Sequence, residues 1–266
     1  MMRFVILAAP RTGSNLLCTL LQSHPDILCH HELFNPSDMF YALPLRETDF
    51  ELGSMSFRDQ NPNAFLQQIW EQNLNHRAVG FKMTHRQHLD AFRTVCADKS
   101  IHKIVLKRQS QLKTYVSRLI AEDSGIWEDY QPIAPSNETR QVYVDYQQLK
   151  NAIAFNDHYY QRLENQIEGP CIHVNYEQLS EIETQKALLE HLKMPLKPLF
   201  ASSRQQNKHP VAQLISNADE LSNQLQKNLA DKPLFDELSQ TEISAGFIDH
   251  LSTVPPSKFN KTLEKR

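Results

Sequence analysis

One stretch constrains this chain more than any other. Residues 4–9, Phe-Val-Ile-Leu-Ala-Ala, are apolar without a break, and residues 10–13, Pro-Arg-Thr-Gly, end the run in a turn. Beyond it Leu16, Leu17, Leu20 and Leu21 recur at helical spacing. A short unbroken apolar run is a strand buried on both faces, so the chain opens as strand, tight turn and helix. A helix starting there presents backbone N–H groups and the positive end of its dipole, which favour an anion. Gly13 permits close backbone approach, and Ser14 and Asn15 add side-chain donors. Arg11 adds a planar, permanently charged fork suited to phosphate or sulfate oxygens. The loop is not that of a nucleotide triphosphatase, because Ser14 follows Gly13 where that motif requires lysine. Nor does it hold a GxGxxG pattern.

The rest of the chain repeats the alternation of apolar runs and amphipathic stretches that builds a parallel sheet with helical crossovers. Strands are predicted near 27–29 and over 78–83, 101–107 and 171–175. A helix follows the third of these, with Leu112, Tyr115, Val116, Leu119 and Ile120 on one face. A long helix is predicted over 145–166 and another around 211–228. Segments 35–61 and 123–139 read as irregular excursions. No repeat or flexible linker divides the 266 residues, so one domain over 1–266 is expected. A net charge of −3 argues against a nucleic-acid binder, and any anion site must be a local gathering of donors. Cys18, Cys29, Cys96 and Cys171 form no CxxC pair and lie in or beside apolar segments, which suits free thiols in a reducing compartment. No run reaches the ~18 apolar residues of a membrane span, and the first is too short for a signal peptide. A soluble, cytoplasmic protein is expected, with no transmembrane segment.

The strand followed by Pro-Arg-Thr-Gly-Ser-Asn-Leu-Leu resembles the 5′-phosphosulfate loop of sulfotransferases, which use 3′-phosphoadenosine 5′-phosphosulfate (PAPS) as sulfuryl donor. The resemblance is to the bacterial carbohydrate type that includes the nodulation-factor enzymes. It assigns donor binding to Arg11, Thr12, Gly13, Ser14 and Asn15. Residues 104–110, Ile-Val-Leu-Lys-Arg-Gln-Ser, followed by Tyr115-Val116-Ser117, resemble the family's 3′-phosphate site, which implicates Arg108 and Ser117. Ser110 and Ser117, seven residues apart, are expected on one helix face. Tyr176, in a strand ending Tyr-Glu-x-Leu, matches the segment beside the adenine. Arg204, in Arg-Gln-Gln-Asn-Lys, resembles a late basic segment closing over the 3′-phosphate.

The segment His31-Glu32-Leu33-Phe34-Asn35-Pro36 is similar to the one presenting a catalytic glutamate in carbohydrate sulfotransferases. Sulfuryl transfer needs a base for the acceptor hydroxyl and neutralised charge on the leaving phosphate. Glu32 is the first candidate for the base. His85, three residues after Lys82, is the alternative, because other branches use a histidine after a Lys-Thr segment. Lys82, near the end of its strand, is expected to contact the sulfate or leaving oxygen, and Arg11 to stabilise the departing phosphate. His30 and His31 adjoin on an extended segment, where neighbours point apart, and no metal is expected. Phe34, Phe40, Tyr41, Trp127 and Tyr130 are aromatics able to stack on an acceptor ring. The resemblance thus implies an α/β fold, a P-loop-like central parallel sheet flanked by helices, acting on a carbohydrate or glycolipid acceptor. A P-loop-related kinase using ATP would require the absent loop lysine, whereas a non-catalytic nucleotide- or sulfated-ligand-binding protein would need no Glu32.

Overall fold

The computed structural model describes residues 1–85, 87–128, 140–201 and 209–240. In chain order its strands are β1 Met2–Ala8, β2 Ile27–His30, β3 Ala78–Thr84, β4 Ile101–Lys107 and β5 Cys171–Asn175. Its helices are α1 Ser14–Gln22, α2 Met55–Gln60, α3 Pro62–Glu71, α4 Leu89–Ala97, α5 Gln111–Ser124, α6 Tyr146–Gln166, α7 Ile182–His191, α8 Ala218–Gln226 and α9 Lys232–Ser239.

The strands form one parallel sheet in the order β2-β3-β1-β4-β5, with Ile6 opposite Lys82 on one side and Ile104 on the other. The unbroken apolar runs follow from this placement, since the inner strands are covered on both faces. Phe4, Ile6 and Ala8 pack with α1 and α7, while Val5, Leu7 and Ala9 pack with α3, α4 and α6. A third cluster joins α5 to α8 and α9. From β1 the chain turns toward β2, and from β4 it proceeds toward β5. The carboxyl ends of adjacent β1 and β4 therefore flank the crevice where such sheets bind ligands.

The predicted strands and the long α6 stand where expected, with Asp145 capping α6 through its side chain and Gln148 N. Two expectations require correction. Segment 35–61 is not wholly irregular, because Ser54 caps α2 by accepting from Phe57 N at 3.1 Å. The helix expected over 211–228 is broken. A 3₁₀ turn at Val211–Leu214 precedes α8, and the backbone between them extends to pair with Val142. Asn217 holds that extension by bonding both N and O of Val144. The four cysteines are free, three of them buried and Cys171 half-buried. No helix among the described residues is long and apolar enough to cross a membrane.

Candidate functional site

The loop after β1 has the geometry its composition implies. Arg11 and Gly13 both take left-handed backbone, at φ 65° and 87°. For an arginine this is a strained conformation that surrounding contacts must hold. Those contacts are Ser117 Oγ, which accepts from Arg11 Nε at 3.1 Å, and the Trp127 carbonyl, 2.7 Å from Nη1. Arg108 Nη1 in turn donates to the Arg11 carbonyl at 3.1 Å. Thr12 turns its hydroxyl back onto the Ala9 carbonyl at 2.7 Å, so its side chain braces the loop. Gly13 is the N-cap of α1 and makes no side-chain hydrogen bond there. A Cβ on Gly13 would stand 2.1 Å from the Tyr176 ring, so only glycine lets the loop lie against that tyrosine.

Tyr176 joins the two halves of the crevice, because the Arg108 guanidinium lies 4.6 Å above its ring centroid. Burial, and then the like charge of Arg108, lower the Arg11 pKa, and burial lowers that of Arg108. The Nε of Arg108 is buried with no hydrogen-bond partner among the described residues. Two crowded guanidinium groups and an orphan donor beside a helix start suit an anion carrying more than one phosphate-like group. Ser117 meets Arg11 rather than Arg108, the residue with which the motif grouped it. Ser110 instead caps α5 and donates to Glu237 Oε2 at 2.8 Å, so it is committed to α9 rather than to the crevice.

A second group of side chains stands against the same loop. Lys82, only 3% exposed near the end of β3, makes a 2.9 Å ion pair with Glu32 and hydrogen-bonds Asn15 Oδ1. Glu32 Oε2 also accepts from Asn35 at 2.8 Å and Gln87 at 2.6 Å. Burial acts to raise the Glu32 carboxyl, but Lys82 and Asn35 outweigh it and hold the pKa below the ordinary value. Asn15 Nδ2 reaches Glu128 Oε1 at 3.4 Å, and Arg46 Nη1 reaches Glu128 Oε2 at 2.7 Å. His31 Nδ1 lies 3.6 Å from Glu128, and burial pushes its pKa down to about 4, so the imidazole is neutral near pH 7.

His85 lies elsewhere. Its ring meets Phe155 edge-on at 4.8 Å and Tyr159 at 5.5 Å, both on α6, and lines a small cleft with Pro10, Thr114 and Tyr115. Lys82 points to the α1 side of the sheet, so the two candidate bases occupy different surroundings. Phe34 is unavailable for stacking on an acceptor, because it is 2% exposed and packed on Phe65 and Phe81. Phe40 and Tyr41 remain half-buried, with Arg46 over the Phe40 ring at 5.6 Å. Trp127 is 46% exposed. Arg204 and Tyr130 lie outside the described residues.

Gln87, Arg46 and Glu128 join the site without a sequence signal, since each reaches it only through contacts across the fold. For Glu128 the available hint was its place beside Trp127, one of the aromatics able to stack on an acceptor ring. Asn35 stood within the quoted glutamate segment and required only attention to its amide.

The fold and site define a parallel α/β protein with two guanidinium groups at the ends of β1 and β4 and a lysine–carboxylate pair against the same loop. In sequence the chain is similar to nodulation protein H of Rhizobium tropici, with 31% identity over 133 residues, 48% of this chain and 50% of that protein. The chain is thus matched over about half the length of this curated relative. No family model matches it. Among solved structures it aligns with a sulfotransferase from Alicyclobacillus acidocaldarius at TM-score 0.47 and 12% identity, over 89% of this chain and 96% of that one. It also aligns with mouse sulfotransferase SULT7A1 complexed with PAP, at TM-score 0.40 and 13% identity, over 74% and 59% of the two chains.

Proposed function

We propose that this chain, as one domain over residues 1–266, transfers a sulfuryl group from PAPS to a hydroxyl of a carbohydrate or glycolipid. The observation that carries the reading is that Arg11 and Arg108 meet at the loop that opens α1, while Asn15 in the first turn of the same helix bonds the Lys82 of the Lys82–Glu32 pair. The motif resemblance to the nodulation-factor branch and the match to nodulation protein H support the same assignment.

The donor supplies a sulfuryl group already activated on a 5′-phosphate. Arg11 and the amides at the start of α1 hold that phosphate and neutralise the charge it gains as its bond to sulfur breaks. Arg108 and Ser117 hold the 3′-phosphate, and Tyr176 takes the adenine side. Lys82 steadies Glu32 and faces the sulfuryl oxygens through Asn15. Glu32 accepts the hydroxyl proton while the acceptor oxygen forms its new bond to sulfur, so no proton is left on the sulfate ester. The acceptor lies toward the half-buried Phe40 and Tyr41 and the exposed Trp127, with Arg46 and Glu128 as polar contacts for sugar hydroxyls. A soluble cytoplasmic setting is part of the same reading.

Mass spectrometry of glycans and lipids from a host with and without the protein tests the reading. A sulfated carbohydrate species that appears only with active protein supports it. An unchanged sulfate-ester profile, with PAPS supplied and the protein folded, contradicts it.

A further inference from the structure

A guanidinium lies buried behind the carboxylate. Arg58, on α2, is 1% exposed and is among the largest fully buried side chains. A buried charge of this kind persists only when its donors are used. Nη1 donates to three backbone carbonyls, those of Leu33 at 3.1 Å, Asn35 at 2.8 Å and Asp38 at 3.4 Å. Nε pairs with Asp59 Oδ1 at 2.7 Å, where the hydrogen bond from Arg58 lowers the Asp59 pKa.

All three carbonyls belong to one loop, and both ends of that loop meet on Glu32. The Glu32 carbonyl accepts the N–H of Asn35 at 3.3 Å and of Phe40 at 3.2 Å. Residues 33–38 form neither helix nor strand, so their inward carbonyls depend on the guanidinium for donors. Asn35 carries the effect onward. Its carbonyl rests on Arg58, its Oδ1 accepts from Ser37, and its Nδ2 holds Glu32 Oε2 at 2.8 Å. The loop is wrapped around a fixed cation, and the amide that aims the carboxylate is part of the wrapping.

We propose that Arg58 is the positioning residue for the Glu32 carboxylate, acting through the loop carbonyls and Asn35. The inference rests on reading Glu32 as the base of the proposed transfer. Arg58 touches no reacting atom. Lysine at this position keeps the charge but cannot reach three carbonyls and Asp59 together, so it separates positioning from charge.

The test uses the full chain and the variants Arg58→Lys, Asn35→Ala and their combination. The side-chain carboxyl carbons of labelled glutamates are titrated by NMR, with Glu32→Gln identifying the Glu32 signal. Loss of the Asn35 hydrogen bond removes one of the influences that lower Glu32, so its titration midpoint rises in Asn35→Ala. Arg58→Lys is expected to raise it similarly, and the double variant no further. Sulfuryl transfer should lose about 10- to 100-fold in kcat, with donor affinity kept and the acid limb moved up with the midpoint. An unmoved midpoint in folded Arg58→Lys, or shifts that simply add in the double variant, would overturn the proposal. A midpoint that moves as expected in a protein transferring no sulfuryl would uphold the positioning contact and overturn the activity reading instead.

Discussion

The ammonium of Lys82 lies 2.9 Å from Glu32 Oε1 while also bonding Asn15 in the first turn of α1. One buried cation thereby ties the Glu32 carboxylate to the loop that opens α1. The pairing favours the ionised carboxylate, the form a proton acceptor would need in the proposed transfer.

The sign of the pH dependence follows. The folded-state pKa of Glu32 is lowered, so the pairing stabilises the fold above the ordinary carboxyl pKa and loses that contribution as pH falls through the folded value. The acid limb of turnover should therefore lie below the ~4.3 of a free glutamate. In Lys82→Met the attraction is gone and the limb should move to higher pH. A pH–rate profile of both proteins checks this, and an unmoved limb would separate Glu32 from the rate.

Glu32→Gln keeps the side-chain shape and removes the proton acceptor. Turnover should fall by ~10²–10⁴ with little change in nucleotide affinity. His85→Asn should be milder, because His85 packs on Phe155 and Tyr159 of α6 instead of meeting Lys82. Binding and single-turnover rates measured on both variants decide the ranking, and an inactive His85→Asn beside an active Glu32→Gln would reverse the assignment.

The product 3′-phosphoadenosine 5′-phosphate should bind far more tightly than adenosine monophosphate. Arg108 offers a buried Nε with no partner among the described residues, and Ser117 lies beside Arg11. Charge-assisted contacts contribute ~1.5–3 kcal/mol each, so Arg108→Ala should remove a factor of about 10–150 from the preference. Calorimetry with both nucleotides measures it, and equal affinities in the parent protein would eliminate the 3′-phosphate site.

Gly13→Ala should both strain the loop and strike Tyr176. The left-handed backbone costs a residue with a Cβ ~1–2 kcal/mol, and the ring stands 2.1 Å from that Cβ. Thermal unfolding should show the variant clearly destabilised. Combining it with Tyr176→Ala should cost less than the two separate losses together, since the clash disappears and only the backbone strain stays. Simple additivity would mean that loop and ring do not press on each other.

The sheet was legible because buried parallel strands leave unbroken apolar runs, and residues 101–107 and 171–175 became β4 and β5 without adjustment. Helix α4 was not, because His88 caps it and composition does not announce a histidine cap. The break before α8 was hidden for a different reason, since the pairing of Ile215 with Val142 overrides local helical preference. Arg11, Glu32, Lys82 and Arg108 could each be named from a motif. That Lys82 bonds Asn15 from 67 positions away is a property of the sheet order, and no local pattern contains it. Arg58 was invisible for a related reason: an arginine in a polar stretch reads as solvated until the loop closes around it.

The most direct test follows radiolabelled sulfuryl from PAPS into carbohydrate or glycolipid extract, comparing the parent protein with Arg11→Ala. Arg11 lies on a turn outside the apolar clusters, so the variant should fold, and losing its leaving-group contact should cost ~10²–10³ in rate. The account predicts labelled acceptor formed together with one 3′-phosphoadenosine 5′-phosphate per transfer, and near loss of both in Arg11→Ala. A folded parent protein that binds the nucleotide and transfers nothing, or an Arg11→Ala variant as fast as the parent, would contradict it.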